Sequence, residues 1–310
     1  MSIAFVFPGQ GSQSVGMMTA FVEQFPIVES TYIDASDILG YDLWDLVQSG
    51  PETELNVTAK TQPALLVAGV AVWRIWEQQG GPAPELMAGH SLGEYTALVC
   101  SGAIKFTDAV QLVADRGAYM QAAVPADTGR MAAILGLQDE QINNVCEKSA
   151  QGQIVSAANY NSPGQVVIAG HAEAIERAVE IAKEAGAKRS IILPVSVPSH
   201  CELMQAAAGH LADRLKAVDL STPTIPVIHN VDIAQRTNAD EISQALIEQL
   251  YKPVRWVETI QMMATKGITQ IVECGPGKVL SGLIKRIDKN IQVLPVYDPE
   301  SLNKALSESI

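Results

Sequence analysis

Apolar residues come in short blocks along this chain, and most blocks stop at a glycine or a proline. Ile3 to Phe7 is apolar throughout and ends at Pro8-Gly9, which predicts a buried strand running into a tight loop. Pro63 to Gln79 is apolar on every side, the pattern of a helix buried in the middle of a protein, and Gly80-Gly81-Pro82 ends it. Leu86 to Ala88 predicts a short strand, Gly89 to Gly93 a turn, and the residues after it a helix to about Ser101. Thr107-Asp108 predicts the N-cap of a further helix carrying Arg116 and Met120. Alternation of this kind implies a parallel sheet covered by helices.

From about Pro125 to Ser196 the pattern changes. Strands are expected over Met131–Leu135, Ile154–Ala158, Gln165–Ala169 and Ser190–Val195, with helices over Asp139–Lys148 and Ala172–Ala185 and a turn at Pro163-Gly164. That order is βαββαβ, the split-βαβ or ferredoxin-like arrangement. The α/β chain therefore divides into a catalytic core, residues 1–125 and 197–310, and an inserted small subdomain, residues 126–196. After the insert, alternation resumes with a strand over Ile225–His229, a helix over Ala239–Leu250 and a strand over Ile268–Glu273. The loop Cys274-Gly-Pro-Gly277 leads into a helix to about Ile287, and no internal repeat is present.

Composition narrows the field. Hydrophobic residues make up 47% and charged residues 18%, enough apolar matter for a sizeable core. The formal net charge is −13 and no basic stripe exists, so a nucleic-acid partner is not expected. The densest basic spots, Lys188-Arg189 and Lys285-Arg286 with Lys289, read first as solvated helix faces or strand edges. Cys100, Cys146, Cys201 and Cys274 are far apart, which predicts neither a disulfide framework nor a thiolate metal site, and fits a reducing cytoplasm. The N-terminal apolar run is too short for a signal peptide, and Ala64–Trp73 is well under the ~18 residues of a membrane span. No metal, no cofactor and no membrane association are expected.

The chemistry gathers around Gly89-His90-Ser91-Leu92-Gly93. A Gly-x-Ser-x-Gly pattern between a strand and a helix forces its serine into a strained turn with the hydroxyl exposed. The helix N-terminus then faces a developing oxyanion, and the Leu92 N–H is placed to donate to it. Such a serine needs a base. Of five histidines, His90 adjoins the nucleophile on a turn where neighbouring side chains diverge, His171 and His210 read as surface residues, and His229 ends an apolar strand. His200 follows Val197-Pro198-Ser199 where the insert returns to the core, a place where clefts form, and is the candidate base. Asp108, Asp115, Asp127 and Asp139 occupy ordinary helix or loop settings, so no orienting acid stands out, and a backbone carbonyl serves a Ser–His dyad equally well. Arg116 lies in a mostly apolar stretch; it either pairs with Asp115, snorkels to the surface, or clamps a substrate carboxylate. Pro8-Gly-Gln-Gly-Ser-Gln13 offers the Gln10 N–H as a second oxyanion donor, and Ser14 in place of glycine excludes a dinucleotide loop. Gly275-Pro-Gly-Lys278 lacks phosphate-loop spacing and reads as a strand–helix turn.

Taken in order, Phe7-Pro-Gly-Gln-Gly-Ser-Gln13, Gly89-His-Ser-Leu-Gly-Glu94, Arg116, Ala158-Asn-Tyr-Asn-Ser-Pro-Gly-Gln-Val-Val-Ile-Ala-Gly170, Pro198-Ser-His200 and Glu273-Cys-Gly-Pro-Gly-Lys278 resemble the malonyl-CoA:acyl carrier protein transacylases, most closely the free-standing bacterial enzymes of fatty-acid synthesis. The resemblance runs nearly the whole chain, with Cys274 standing where a small apolar residue is usual. It implies a hydrolase-like core with a ferredoxin-like insert, Ser91 as nucleophile and His200 as base. It further implies a backbone carbonyl at Gln249 orienting the imidazole, Gln10 and Leu92 forming the oxyanion hole, and Arg116 binding the malonate carboxylate. Malonyl-CoA and acyl carrier protein are the implied partners, and a monomer is the expected state. A serine esterase or thioesterase, and a catalytically silent carrier-binding subunit, are the competing readings. The first requires an acid that the sequence does not present, and the second leaves Ser91, His200 and Arg116 without a purpose.

Overall fold

The computed structural model describes residues 2–125, 127–195 and 197–309. Among the described residues nine strands form two sheets: β1 (Ile3–Phe7), β2 (Leu86–Gly89), β3 (Gly129–Leu135), β4 (Val155–Ser162), β5 (Gln165–His171), β6 (Arg189–Ile192), β7 (Val227–Ile228), β8 (Gln270–Cys274) and β9 (Gln292–Val296). The larger sheet is wholly parallel in the order β7-β2-β1-β8-β9, and the smaller is antiparallel in the order β4-β5-β3-β6.

A central parallel strand is buried on both faces, so it must be apolar throughout. β1 shows this, since all five of its residues are buried. Ile3, Phe5 and Phe7 join one core with the helix Thr58–Gln78, where Phe5 meets Trp73 and Trp76 edge-on at 5.2 and 5.1 Å. Ala4 and Val6 join the opposite core, with Trp256, Ile260 and Leu283 from the helices Trp256–Thr265 and Val279–Ile287. In the smaller sheet Ala132, Ile134 and Ile168 pack under the helices Asp139–Ala150 and Ala172–Glu184. Its other face, with Met131 and Val167, turns toward the larger domain and packs near Cys201. Backbone bonds seam the two parts together, Val254 N–H donating to Ala158 O at 2.8 Å and Tyr160 N–H to Val254 O at 3.0 Å.

Most expected elements stand within a few residues of their predicted bounds. The buried helix begins at Thr58 rather than Pro63, because its first turns bury Thr58, Thr61 and Gln62, polar residues that break the apolar pattern. The helix bearing Arg116 begins at Phe106, with Lys105 and not Thr107 at its N-cap. β6 ends at Ile192, short of Val195, whereas β4 runs on to Ser162. The short helices between Thr19 and Leu55, the edge strand β9 and the helix Pro299–Glu308 have no counterpart in the apolar pattern. The boundary residues Ala126 and Ser196 of the expected subdomain lie outside the described residues. No helix among the described residues is long and apolar enough to cross a membrane.

Candidate active site

Gly89 closes β2, and the helix Leu92–Cys100 starts almost at once. The chain makes that turn with Ser91 at φ 52° and ψ −108°, a conformation that a residue with a side chain adopts only when its surroundings impose it. Phe7 and Gly89 are register partners, so the loop after β1 is pressed against this turn. A Cβ on Gly93 would stand 2.0 Å from Phe7 O, and one on Gly9 would stand 2.4 Å from His90 O. Only glycine permits that backbone-on-backbone approach. Gly9 is thus demanded by the turn itself rather than by a ligand. The arrangement lifts Ser91 into a cleft of about 220 Å³ at the carboxyl ends of the parallel strands, with Met131 and Val167 of the smaller sheet on its far wall.

His200 meets the serine there. Its Nε2 lies 2.8 Å from Ser91 Oγ, and its Nδ1 lies 2.7 Å from the backbone carbonyl oxygen of Gln249. A carbonyl oxygen only accepts, so Nδ1 carries the proton and Nε2 turns its lone pair to the hydroxyl. Burial first, and then the positive charge of Arg116, push the His200 pKa down to about 3, so the ring is neutral near pH 7. The orienting group is a carbonyl and not one of the four aspartates; Asp115 pairs with Arg214 at 2.7 Å.

That pairing also removes Asp115 as a partner for Arg116. Arg116 is 1% exposed as a whole residue, the value that rules out a snorkelling surface side chain. Nη1 donates to Gln62 Oε1 at 2.7 Å, Nη2 to Gln249 Oε1 at 3.0 Å, and the Tyr95 ring lies beneath at 5.3 Å. Nε has no partner, and no carboxylate contacts the group among the described residues. Burial lowers its pKa, the cost of holding a cation away from water, and Tyr95 and the nearby Glu94 carboxylate oppose that shift.

Gln10 follows β1, is exposed, and lines the cleft with Ser91. Around the turn, the Ser91 N–H donates to Asn230 Oδ1 at 2.7 Å, Gly93 N–H to His90 O at 2.9 Å and Glu94 N–H to Ser91 O at 3.1 Å. The Leu92 N–H, between them, has no such partner among the described residues. Gln249 ties the whole together: besides its carbonyl and Oε1, its Nε2 donates to Ser91 O at 3.0 Å and to Glu94 Oε2 at 2.9 Å.

The remaining histidines stand apart from the Ser91 hydroxyl. His90 bonds Asn161 Oδ1 at 2.8 Å and packs on Trp256, His210 is exposed, and His229 bonds Glu94 Oε1 at 2.7 Å. His171 is half-buried rather than on the surface, because its Nδ1 accepts from Ile154 N–H at 2.9 Å. Gln62, Glu94, Tyr95 and Asn230 belong to the site without having been singled out by spacing. For Gln62 and Glu94 a signal existed: each is a polar residue on an otherwise apolar helix, and such a residue is buried for a reason. The Glu273–Lys278 loop is the expected strand–helix turn, and Glu273 takes bonds from the Leu280 and Ser281 N–H groups at 2.9 and 2.7 Å, capping the helix in a way the spacing did not announce.

A parallel sheet with a serine on a strand–helix turn, a neutral imidazole against its hydroxyl and a buried cation alongside defines an acyl-transfer protein. In agreement, the sequence profile of the acyl transferase domain family matches residues 4–304. The malonyl CoA-acyl carrier protein transacylase of Salmonella typhimurium is 57% identical over 98% of this chain and 99% of its own length. The solved malonyl CoA-acyl carrier protein transacylase of Coxiella burnetii superposes with a TM-score of 0.99 at 53% identity, over 100% of this chain and 98% of the other. A malonyl-transacylase solved in complex with a type II PKS acyl-carrier protein superposes equally well, TM-score 0.99 at 55% identity, over 99% of this chain and 100% of the other. The chain belongs to the malonyl CoA-acyl carrier protein transacylases.

Proposed function

We propose that this protein moves a malonyl group from malonyl-CoA to the phosphopantetheine thiol of an acyl carrier protein through a malonyl-Ser91 ester, supplying fatty-acid chain elongation. The observation that carries this reading is one cleft holding both a Ser91–His200 bond of 2.8 Å and a buried Arg116 with no anionic contact among the described residues. His200 Nε2 takes the hydroxyl proton as Ser91 Oγ attacks the thioester carbonyl. The oxyanion lies between the N–H groups of Leu92 and Gln10. As the tetrahedral intermediate collapses, coenzyme A leaves with the proton from Nε2. The carrier's thiol then gives its proton to Nε2 and attacks the ester, and as that intermediate collapses Ser91 Oγ leaves and takes the proton back from Nε2. The Gln249 carbonyl holds the ring in the tautomer both steps need, and Arg116 receives the free carboxylate. No cofactor enters the scheme.

The two-part architecture belongs to the same proposal. The strand order β4-β5-β3-β6 is that of a ferredoxin-like unit, assigned here to residues 126–196, set into a hydrolase-like core of residues 1–125 and 197–310. The four free cysteines fit residence in a reducing cytoplasm, and a monomer suffices because every residue in the scheme comes from one chain.

Intact-mass measurement after mixing with malonyl-CoA tests the reading. A malonyl adduct that is absent in Ser91→Ala and is discharged by pantetheine supports it. Release of free malonate without dependence on thiol indicates a hydrolase instead, and neither adduct nor turnover removes both.

A further inference from the structure

The turn that carries Ser91 is strained, and a strained turn persists only if something holds it. We infer that Asn230, anchored by Glu94, is the positioning residue that holds the Ser91 turn in its reactive shape; this rests on Ser91 being the nucleophile. Asn230 follows β7 at its carboxyl end and is fully buried. Its amide brackets the turn from both sides: Oδ1 accepts from Ser91 N–H at 2.7 Å, and Nδ2 donates to Gly89 O at 2.7 Å. These backbone groups belong to Gly89, two residues before the serine, and to the serine itself, so the bracket spans His90 and sets the direction of the Cα–Cβ bond that aims Oγ at His200.

The bracket is itself fixed. Asn230 N–H donates to Glu94 Oε2 at 2.9 Å, and Arg255 N–H donates to Asn230 O at 3.1 Å. Glu94 Oε2 also accepts from Gln249 Nε2, and Oε1 faces His229 Nδ1, so one buried carboxylate joins β7, the nucleophile's helix and the residue that orients the base. There is a second consequence. With the Ser91 N–H taken up by Asn230, the acyl oxyanion is left to the Leu92 N–H and its partner across the cleft.

Rapid-quench measurement of Ser91 malonylation, with intact mass and thermal unfolding on the same samples, tests the inference in full-length protein. Asn230→Ala is expected to slow acylation at saturating malonyl-CoA by about thirtyfold or more, while apparent affinity changes by less than about threefold because Arg116, Gln62 and Gln249 are intact. Glu94→Ala is expected to behave alike. Glu94→Gln should recover most of that loss, since its amide keeps an acceptor for Asn230 and Gln249 and can donate to the other tautomer of His229. A rate within threefold of wild type in Asn230→Ala, or a loss confined to affinity, overturns the inference. So does Glu94→Gln as slow as Glu94→Ala, which would assign Glu94 an electrostatic task. Should Asn230→Ala not fold, the Glu94 pair decides. Failure of the wild type to acylate at Ser91 would instead overturn the proposed function.

Discussion

In the proposed function, Arg116 carries the choice of acyl group. A malonyl carboxylate gives the buried guanidinium a charged partner, and an acetyl group leaves it with Gln62 and Gln249 alone. A charged hydrogen bond of this kind is worth about 1.5–3 kcal/mol, so Arg116→Gln is expected to cut kcat/KM for malonyl-CoA by about tenfold to a hundredfold and to spare acetyl-CoA. Side-by-side kinetics with the two thioesters check it. The same substitution acts on His200. A nearby cation disfavours the imidazolium, so its removal raises the His200 pKa from its depressed value near 3 toward the ordinary imidazole range. Carbon-13 NMR of labelled histidine across a pH titration measures that rise; an unchanged or lower pKa would contradict the assigned cause. The sign for folding follows from the same depression. The unfolded chain binds the proton first, so the neutral ring's contribution to stability is full above about 6.5 and is lost as the pH falls through about 3. Ser91 and Arg116 were legible because each breaks a local pattern. Asn230 was not: an asparagine after a two-residue strand looks like any turn residue until it is seen bracketing Gly89 and Ser91.

Helix ends position much of this cleft. The helix Val279–Ile287 lines it with Val279, Leu280 and Leu283, and its N-terminus is held by the buried Glu273 carboxylate. Burial raises the Glu273 pKa, and the Ser281 hydroxyl and the two N–H groups oppose that rise. Glu273→Ala leaves those donors unpaired inside the protein and is expected to cost about 1–3 kcal/mol of stability, read from urea unfolding midpoints. A neutral result would mean that water replaces the cap. The inner strands β2, β1 and β8 of the parallel sheet were readable because a strand buried on both faces must be an uninterrupted apolar run, as β1 is, whereas the edge strand β9 was not. The first turns of the helix Thr58–Gln78 were hidden for the opposite reason: Gln62 is polar because it holds Arg116, and function there overrides the apolar signature.

The cleft lies where the two sheets meet, and a carrier protein must bring its thiol to that mouth. Carrier proteins are typically acidic and this chain has a net charge of −13, so docking depends on local cations. Lys285 and Arg286 are exposed and lie within one turn of Leu283, a rise of about 4.5 Å, whereas Arg189 is separated from Leu193 by four extended residues, about 13 Å. Reversing Lys285 and Arg286 to glutamate is therefore expected to slow transfer to the carrier by about tenfold at low salt while transfer to free pantetheine changes little, with the difference shrinking as salt rises. Stopped-flow measurement of the second half-reaction with both acceptors decides it. Equal slowing of both would trace the effect to the lost contact between Arg286 and Gln165 rather than to docking.

By itself the sequence determined the Ser91 turn, the buried strands, the change of pattern near Pro125 and the family, because each is written in neighbouring residues whose geometry is local. Tertiary structure alone decided what those residues meet. His200 is 109 positions from Ser91, Asn230 is 139 away, and Gln249 comes within bonding distance of Ser91, Glu94, Arg116 and His200, which belong to three separate stretches of chain. No periodicity records such a meeting. It follows from the packing of strands in the order β7-β2-β1, which sets Asn230, two residues past β7, beside the turn after β2, and from burial that leaves each polar group no partner but another.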